Sequence, residues 1–160
     1  MINVFTIGVY NSTEDSFFEK LTKNNIDLFC DIRQRRGVRG SLYRYVNSNY
    51  LQAKLKELGI NYMYIKELAP THEIRQKQKD ADKLNNETKK QRTVLGKVFA
   101  EEYNSQILSR FDMKGLVSTI ETMGAKNVVF FCVEECASAC HRSLVAKEFS
   151  KFSRTKIIDL

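Results

Sequence analysis

Short apolar runs of strand length alternate with amphipathic helical segments, and this order constrains the fold more than any other feature of the chain. The runs lie at residues 4–8, 26–32, 60–65, 127–132 and 155–158. Strands that are separated by helices pair in parallel, because each crossover returns the chain to the same edge of the sheet. We therefore predict an α/β fold: a single three-layer, Rossmann-like domain over residues 1–160, with a mostly parallel sheet of about five strands and helices on both faces.

Helical periodicity and capping residues place the helices between these runs. Ser12 or Thr13 caps the first helix, and Ser48 or Asn49 caps the second. Asp112 caps a later one, and Gly124 ends it. The predicted helices span about residues 13–24, 49–59, 93–111, 112–123 and 139–149.

One segment departs from this pattern. Residues 71–92 carry seven Lys or Arg against four Asp or Glu and few apolar side chains. Such a composition predicts either a mobile excursion or an exposed helical flap at about residues 70–92.

Composition limits the class of protein and its compartment. At 160 residues and 42% apolar content the chain can bury a substantial core. It has no apolar run of membrane-spanning length and no signal-peptide pattern at its start, so we expect a cytoplasmic protein with no membrane partner. Three of the four cysteines fall within nine residues, which is not the spacing of a disulfide framework.

Positive charge is concentrated in one stretch. Residues 32–56 hold seven Lys or Arg and no acidic residue, which equals the net charge of +7 of the whole chain. Arginine predominates there, and its planar guanidinium suits phosphate and carboxylate groups. The stretch predicts an anion-binding or nucleic-acid surface, or else a solvated basic loop.

The residues that could carry chemistry follow the predicted strands. In a parallel sheet the carboxyl ends of the strands share one edge, where open α/β folds bind their ligands. Arginines at this edge would bind an anion, while two carboxylates would orient them or act as acid and base. The candidate anion-binding residues are Gly8, Arg33, Arg36, Arg39 and Arg142, and the candidate catalytic residues are Asp31, Glu134, Cys140 and His141.

Cys140 is the candidate reactive group. If Ser138 caps the last long helix, Cys140 lies in its first turn, where the helix dipole, His141 and Arg142 all favour the thiolate. The alternative is that Cys140 is a packed small side chain and that Arg142 pairs with an acidic residue inside the fold, Glu134 or Asp31.

Two motif matches near Cys140 have competing explanations. Cys136 and Arg142 fit the C-x5-R loop of cysteine phosphatases, but the segment has none of the glycines on which such phosphate loops rely. Cys132, Cys136 and Cys140 with His141 could hold zinc or an iron–sulfur cluster, although zinc sites commonly use cysteine pairs far apart in the chain. We expect no metal and no cofactor.

Together these segments resemble a known family. They are Thr6-Ile7-Gly8, Asp31-Ile32-Arg33, Leu58-Gly59-Ile60-Asn61-Tyr62 and Cys132-x-Glu134-x5-Cys140-His141-Arg142, and in this order they are similar to the domain of unknown function 488 family. The resemblance covers about residues 3–150 and implies a Rossmann-like α/β domain with no settled activity. The positions of this chain that match the family's motifs are Gly8, Asp31, Arg33, Arg39, Glu134, Cys140, His141 and Arg142. The chain departs from the family pattern at Val9-Tyr10, Arg36, Val38, Leu68-Ala69-Pro70 and Ala137.

The sequence thus predicts an anion-binding pocket at the carboxyl ends of the strands. Its ligand would carry phosphate, and nucleic acid is one such ligand. The alternative is a non-catalytic nucleic-acid-binding module that uses the arginine-rich stretch and the basic excursion, with a structural cysteine turn. A third interpretation assigns the cysteine turn to structure and the basic charge to solubility.

Overall fold

Five parallel strands form one sheet in the computed structural model, which describes residues 1–86 and 94–160. The strands are β1 (Asn3–Ile7), β2 (Leu28–Asp31), β3 (Asn61–Tyr64), β4 (Asn127–Phe131) and β5 (Ile157–Asp159). Their order across the sheet is β3-β2-β4-β1-β5, and every neighbouring pair is parallel. The predicted three-layer α/β fold is confirmed, and the sheet is wholly rather than mostly parallel.

Within residues 1–86 and 94–160, six α-helices cover the two faces of the sheet. They are α1 (Glu14–Lys23), α2 (Ser48–Glu57), α3 (His72–Asn85), α4 (Lys97–Tyr103), α5 (Met113–Met123) and α6 (Arg142–Ser153). Side chains alternate along each strand, so neighbouring residues pack on opposite faces. Phe29 and Phe131 pack with α1 and α2, whereas Cys30 and Phe130 pack with α5 and α6. In the described part of the chain no helix is both long and apolar enough to cross a membrane.

Two of the predicted helix starts are correct. Thr13 caps α1 in a capping box with Ser16, and the side chain of Asp112 accepts a hydrogen bond from the backbone of Gly115 at the start of α5. Gly124 ends α5 with a φ of 75°, in the left-handed region that glycine adopts without steric cost.

Two other helix starts differ from the prediction. Asn47, and neither Ser48 nor Asn49, is the capping residue of α2, and its side chain instead binds the backbone N–H of Val38. The last helix begins at Arg142, so the Ser138 cap is wrong. A short 3-10 turn, Ala137–Ala139, occupies the predicted start, and Cys140 lies before the helix rather than in its first turn.

The basic excursion is a docked helix over most of its predicted length. Thr71 caps α3, and Ile74 is completely buried against the core. Gln78 is also buried, and its side-chain oxygen accepts a hydrogen bond from the backbone of Phe99 at 2.8 Å. These contacts hold α3 against α4 and pack it on the core. Residues 87–92 of the predicted excursion lie outside the described residues.

Candidate thiol site at the carboxyl edge of the sheet

Three adjacent strands bring the predicted site residues to one edge of the sheet. The last residue of β1, Ile7, is in register with Phe131 of β4, which is in register with Asp31 of β2. The segments that follow these strands therefore start at the same level. Gly8, Arg33 and Glu134 each lie just beyond a strand, so they share the edge where the sequence placed them.

Asp31 and Arg33 form a buried ion pair. Arg33 donates from Nε to Asp31 Oδ1 at 2.9 Å and from Nη2 to Oδ2 at 2.8 Å. Tyr62 also donates to Oδ2 at 2.7 Å, and the burial of Tyr62, together with that bond, raises its pKa to about 12. Neither member of the ion pair is more than 3% exposed. This pair therefore braces the end of β2, and its predicted roles in anion binding and acid–base chemistry stay predictions.

Arg142 holds the turn after β4 through main-chain contacts. Its guanidinium is 1% exposed and donates from Nη1 to the carbonyl oxygen of Glu134 and from Nη2 to that of Glu135, the latter at 3.0 Å. Gly8 lies under the same turn, where an added Cβ would be 1.9 Å from the Glu134 carbonyl oxygen. The sequence offered Glu134 as a partner of Arg142. The two residues do bond, through the backbone carbonyl oxygen of Glu134.

The phosphatase-loop interpretation of this turn does not fit its geometry. Its nucleophile would be Cys136, which is exposed, whereas Cys132 and Cys140 are buried. Its phosphate-binding arginine would be Arg142, whose Nη atoms both donate to carbonyl groups. The C-x5-R match is therefore a coincidence of spacing.

A compact cluster of two thiols and an imidazole forms the centre of the site. Cys132 Sγ, Cys140 Sγ and a ring nitrogen of His141 all lie within 4.8 Å of one another. His141 Nδ1 is 3.6 Å from Cys140 Sγ, and His141 Nε2 is 2.9 Å from the carbonyl oxygen of Ile32. All three residues are buried, and Tyr103 packs on the imidazole with 5.5 Å between ring centroids.

The pKa values of the two thiols are shifted in opposite directions. Burial raises the pKa of the Cys140 thiol, but a hydrogen bond from Cys132, with the nearby His141 and Arg142, holds that pKa well below its usual range. The same hydrogen bond to Cys140, together with burial, raises the pKa of Cys132 well above its usual range. The contact between them therefore makes Cys140 the more acidic thiol of the pair.

A cavity of about 390 Å³ opens above this cluster. One wall is the segment that connects β4 to α6, and the opposite wall is made by α3 and α4. Arg75 and Lys79 of α3 line that wall, so the cavity joins the thiol cluster to two cationic side chains. Cys132, Cys140 and His141 line it too, together with Pro70, Gln78, Asp82, Leu95, Phe99, Val133, Glu134 and Ala139.

The sequence found part of this site and missed part of it. Cys140, His141 and Glu134 were predicted and line the cavity. Arg36 and Arg39 are exposed and do not belong to its lining, and Arg36 instead stacks on the ring of Tyr64 at 4.2 Å. The missed residues are Arg75, Lys79 and Cys132. The only signal for the first two was the basic composition of residues 71–92, and the only signals for Cys132 were the metal-like cysteine spacing and the family motif.

A parallel sheet flanked by helices, with a polar site at its carboxyl edge, defines a three-layer α/β protein of the Rossmann-like class. Comparison with known protein families identifies the family within this class. A family model described as Domain of unknown function DUF488 matches residues 13–149, and the chain belongs to that family. No curated protein and no solved structure matches the chain.

Proposed function

We propose that this chain binds a phosphate-bearing ligand in the cavity beside the thiol cluster. The phosphate would lie against Arg75 and Lys79, and the rest of the ligand would reach Cys140 and His141. The observation that carries this proposal is the state of Arg75, whose Nε is buried and has no hydrogen-bond partner among the described residues. A buried N–H without an acceptor costs about 1–3 kcal/mol, so an anionic ligand that accepts from it gains that amount.

The position of α3 supports the same assignment. The helix is held in place by Ile74 and Gln78, so that Arg75 and Lys79 on the same helix line the cavity. Asp82 lines the cavity as well, and its carboxylate accepts a hydrogen bond from Gln78 at 2.7 Å. Arginine and lysine are the side chains that bind phosphate oxygens most often, the first through its planar fork and the second as a point charge.

Arg75→Gln is expected to weaken phosphate binding at least about tenfold, since a charge-assisted hydrogen bond contributes about 1.5–3 kcal/mol. Isothermal titration of chelator-treated, reduced protein with inorganic phosphate, adenosine monophosphate and a short DNA oligonucleotide measures this directly. Lys79→Gln should weaken binding less, because Lys79 is more exposed than Arg75.

Lys83→Gln is the matched control, because Lys83 lies one turn further along α3 and is outside the cavity lining. Its affinity for each probe should equal that of the unmodified protein. Equal binding by Arg75→Gln and Lys83→Gln would remove Arg75 from the site, and no binding of any of the three probes would refute the proposed ligand class.

The arginine-rich loop after β2 supports a second candidate function, nucleic-acid binding outside the cavity. Arg35, Arg36, Arg39 and Arg44 are all exposed, and no acidic residue occurs in residues 32–56. The loop follows β2, so it starts at the same edge of the sheet as the cavity. A nucleic-acid backbone could therefore contact the loop at the edge where the cavity opens.

The triple substitution of Arg35, Arg36 and Arg39 by Gln is expected to lower the salt dependence of DNA binding. Each lost phosphate contact reduces the slope of log K against log salt concentration by about 0.9. Fluorescence anisotropy of a labelled duplex over a salt series measures the slope. Lys126→Gln, an exposed lysine just before β4 at the opposite edge, should leave it unchanged. An identical slope in the triple variant would exclude the loop as a DNA surface.

A further inference from the structure

The geometry points to a zinc site formed by Cys132 Sγ, Cys140 Sγ and His141 Nδ1, with its fourth coordination position facing the cavity. The two sulfurs and a ring nitrogen of His141 are within 4.8 Å of one another, and the three residues are buried at 6%, 3% and 3% exposure. Two thiolates and an imidazole are the ligand types that zinc prefers, and a site of two cysteines and one histidine is typical of zinc with an open position. This inference goes beyond the proposed phosphate binding and stands without it.

The distance between Cys140 and His141 already matches that of a tetrahedral zinc site, and the cluster as a whole is compact. Zn–S bonds of about 2.3 Å and a Zn–N bond of about 2.0 Å place a sulfur and a nitrogen about 3.5 Å apart and two sulfurs about 3.8 Å apart. Cys140 Sγ and His141 Nδ1 are 3.6 Å apart. Zinc would bind Cys132 and Cys140 as thiolates and His141 as a neutral imidazole.

The hydrogen bond of His141 Nε2 determines the tautomer of the ring and leaves Nδ1 free to bind a metal. His141 Nε2 is 2.9 Å from the carbonyl oxygen of Ile32, and a carbonyl can only accept, so Nε2 carries the hydrogen. In the neutral imidazole, Nδ1 then holds the lone pair and is directed to the thiols. Histidines that bind metals usually donate their other N–H to a carbonyl or carboxylate in this way.

The ligands of this site differ from those that the cysteine spacing in the sequence suggested. Cys132, Cys136 and Cys140 are evenly spaced in the chain, but Cys136 is exposed and is not part of the cluster. Cys132 is the first residue after β4, whereas Cys140 and His141 directly precede α6, so the turn between them brings its two ends together. Because the described residues supply three ligands, and all three line the cavity, the fourth position would take water or a ligand oxygen.

Metal titration tests this inference. Chelator-treated, reduced protein is titrated with zinc against a chromophoric chelator, and with cobalt to record thiolate-to-metal charge transfer and the d–d bands of a tetrahedral site. The unmodified protein and Cys136→Ser should bind one equivalent with the same affinity. Cys132→Ser, Cys140→Ser and His141→Gln should each lose at least about tenfold in affinity. Failure of the unmodified protein to bind zinc, or an equal loss in Cys136→Ser, overturns the site.

A second measurement keeps the test valid if a variant fails to fold. Zinc should protect Cys132 and Cys140 of the unmodified protein from alkylation, with Cys136 remaining reactive, as read by mass spectrometry. Equal alkylation of Cys140 with and without zinc also overturns the site. The phosphate proposal is tested separately, by Arg75→Gln in metal-free protein. Zinc binding without phosphate binding would refute only the phosphate proposal, and phosphate binding without zinc binding would refute only the zinc site.

Discussion

Asp31→Asn is expected to lower the free energy of unfolding by about 3–5 kcal/mol, because it leaves the buried Arg33 guanidinium without a counter-charge. Arg33 is 3% exposed, and within the described residues its Nη1 has no hydrogen-bond partner, so it has no alternative acceptor in place. The substitution also changes the acceptor for the Tyr62 hydroxyl. Chemical denaturation followed by circular dichroism measures the loss.

Two further variants identify the cause of that loss. Arg35→Gln removes an exposed arginine from the same loop and should change stability by no more than about 0.5 kcal/mol. Tyr62→Phe removes one hydrogen bond to the carboxylate and should cost about 1.5–3 kcal/mol. If Asp31→Asn were as stable as Arg35→Gln, the ion pair would not brace the end of β2.

Gly8→Ala is expected to destabilise the protein by about 3 kcal/mol or more, since it forces a methyl group against the main chain. The added Cβ would lie 1.9 Å from the Glu134 carbonyl oxygen and 2.9 Å from its carbonyl carbon, and neither is the end of a flexible side chain. The same carbonyl accepts a hydrogen bond from Arg142. The turn would have to move away from β1, which would distort the cavity as well as lower the melting temperature.

Gly37→Ala is the matched control for this substitution. Gly37 lies in the loop after β2, and an added Cβ there would meet its nearest atom, Asn47 Oδ1, at an ordinary 3.6 Å. Its stability should stay within about 0.5 kcal/mol of the unmodified protein. A Gly8→Ala variant that unfolds at the same denaturant concentration as Gly37→Ala would show that the close approach of the turn is not required.

The alternation of apolar runs and helical segments was sufficient to predict the fold. Buried parallel strands are apolar on both faces, so runs such as residues 127–132 stand out from the amphipathic stretches around them. The starts of the helices were harder to predict from the sequence. Thr13 and Asp112 were identified because their side chains bind the backbone of the first turn, whereas α6 begins at Arg142 with no side-chain cap to mark it.

The candidate site was predicted in part for the same reason. Residues that directly follow strands, such as Arg33 and Glu134, must meet at one edge of a parallel sheet, so their common location was predictable. Their contacts were not. Arg33 and Arg142 were predicted to bind anions because the guanidinium suits phosphate and carboxylate groups, and this stays a prediction. Their burial and their contacts with Asp31 and with the carbonyl groups of the turn could not be read from the sequence.

The sequence by itself determined the parallel sheet, the family and the edge at which the site lies, because these depend on the order and periodicity of residues along the chain. Only the tertiary structure decided which groups share the cavity. Cys132 joins Cys140 and His141 there, and Arg75 reaches the same space from α3, far away along the chain. Such contacts depend on how a turn folds back and how a helix docks, and both are set by packing between segments distant in sequence.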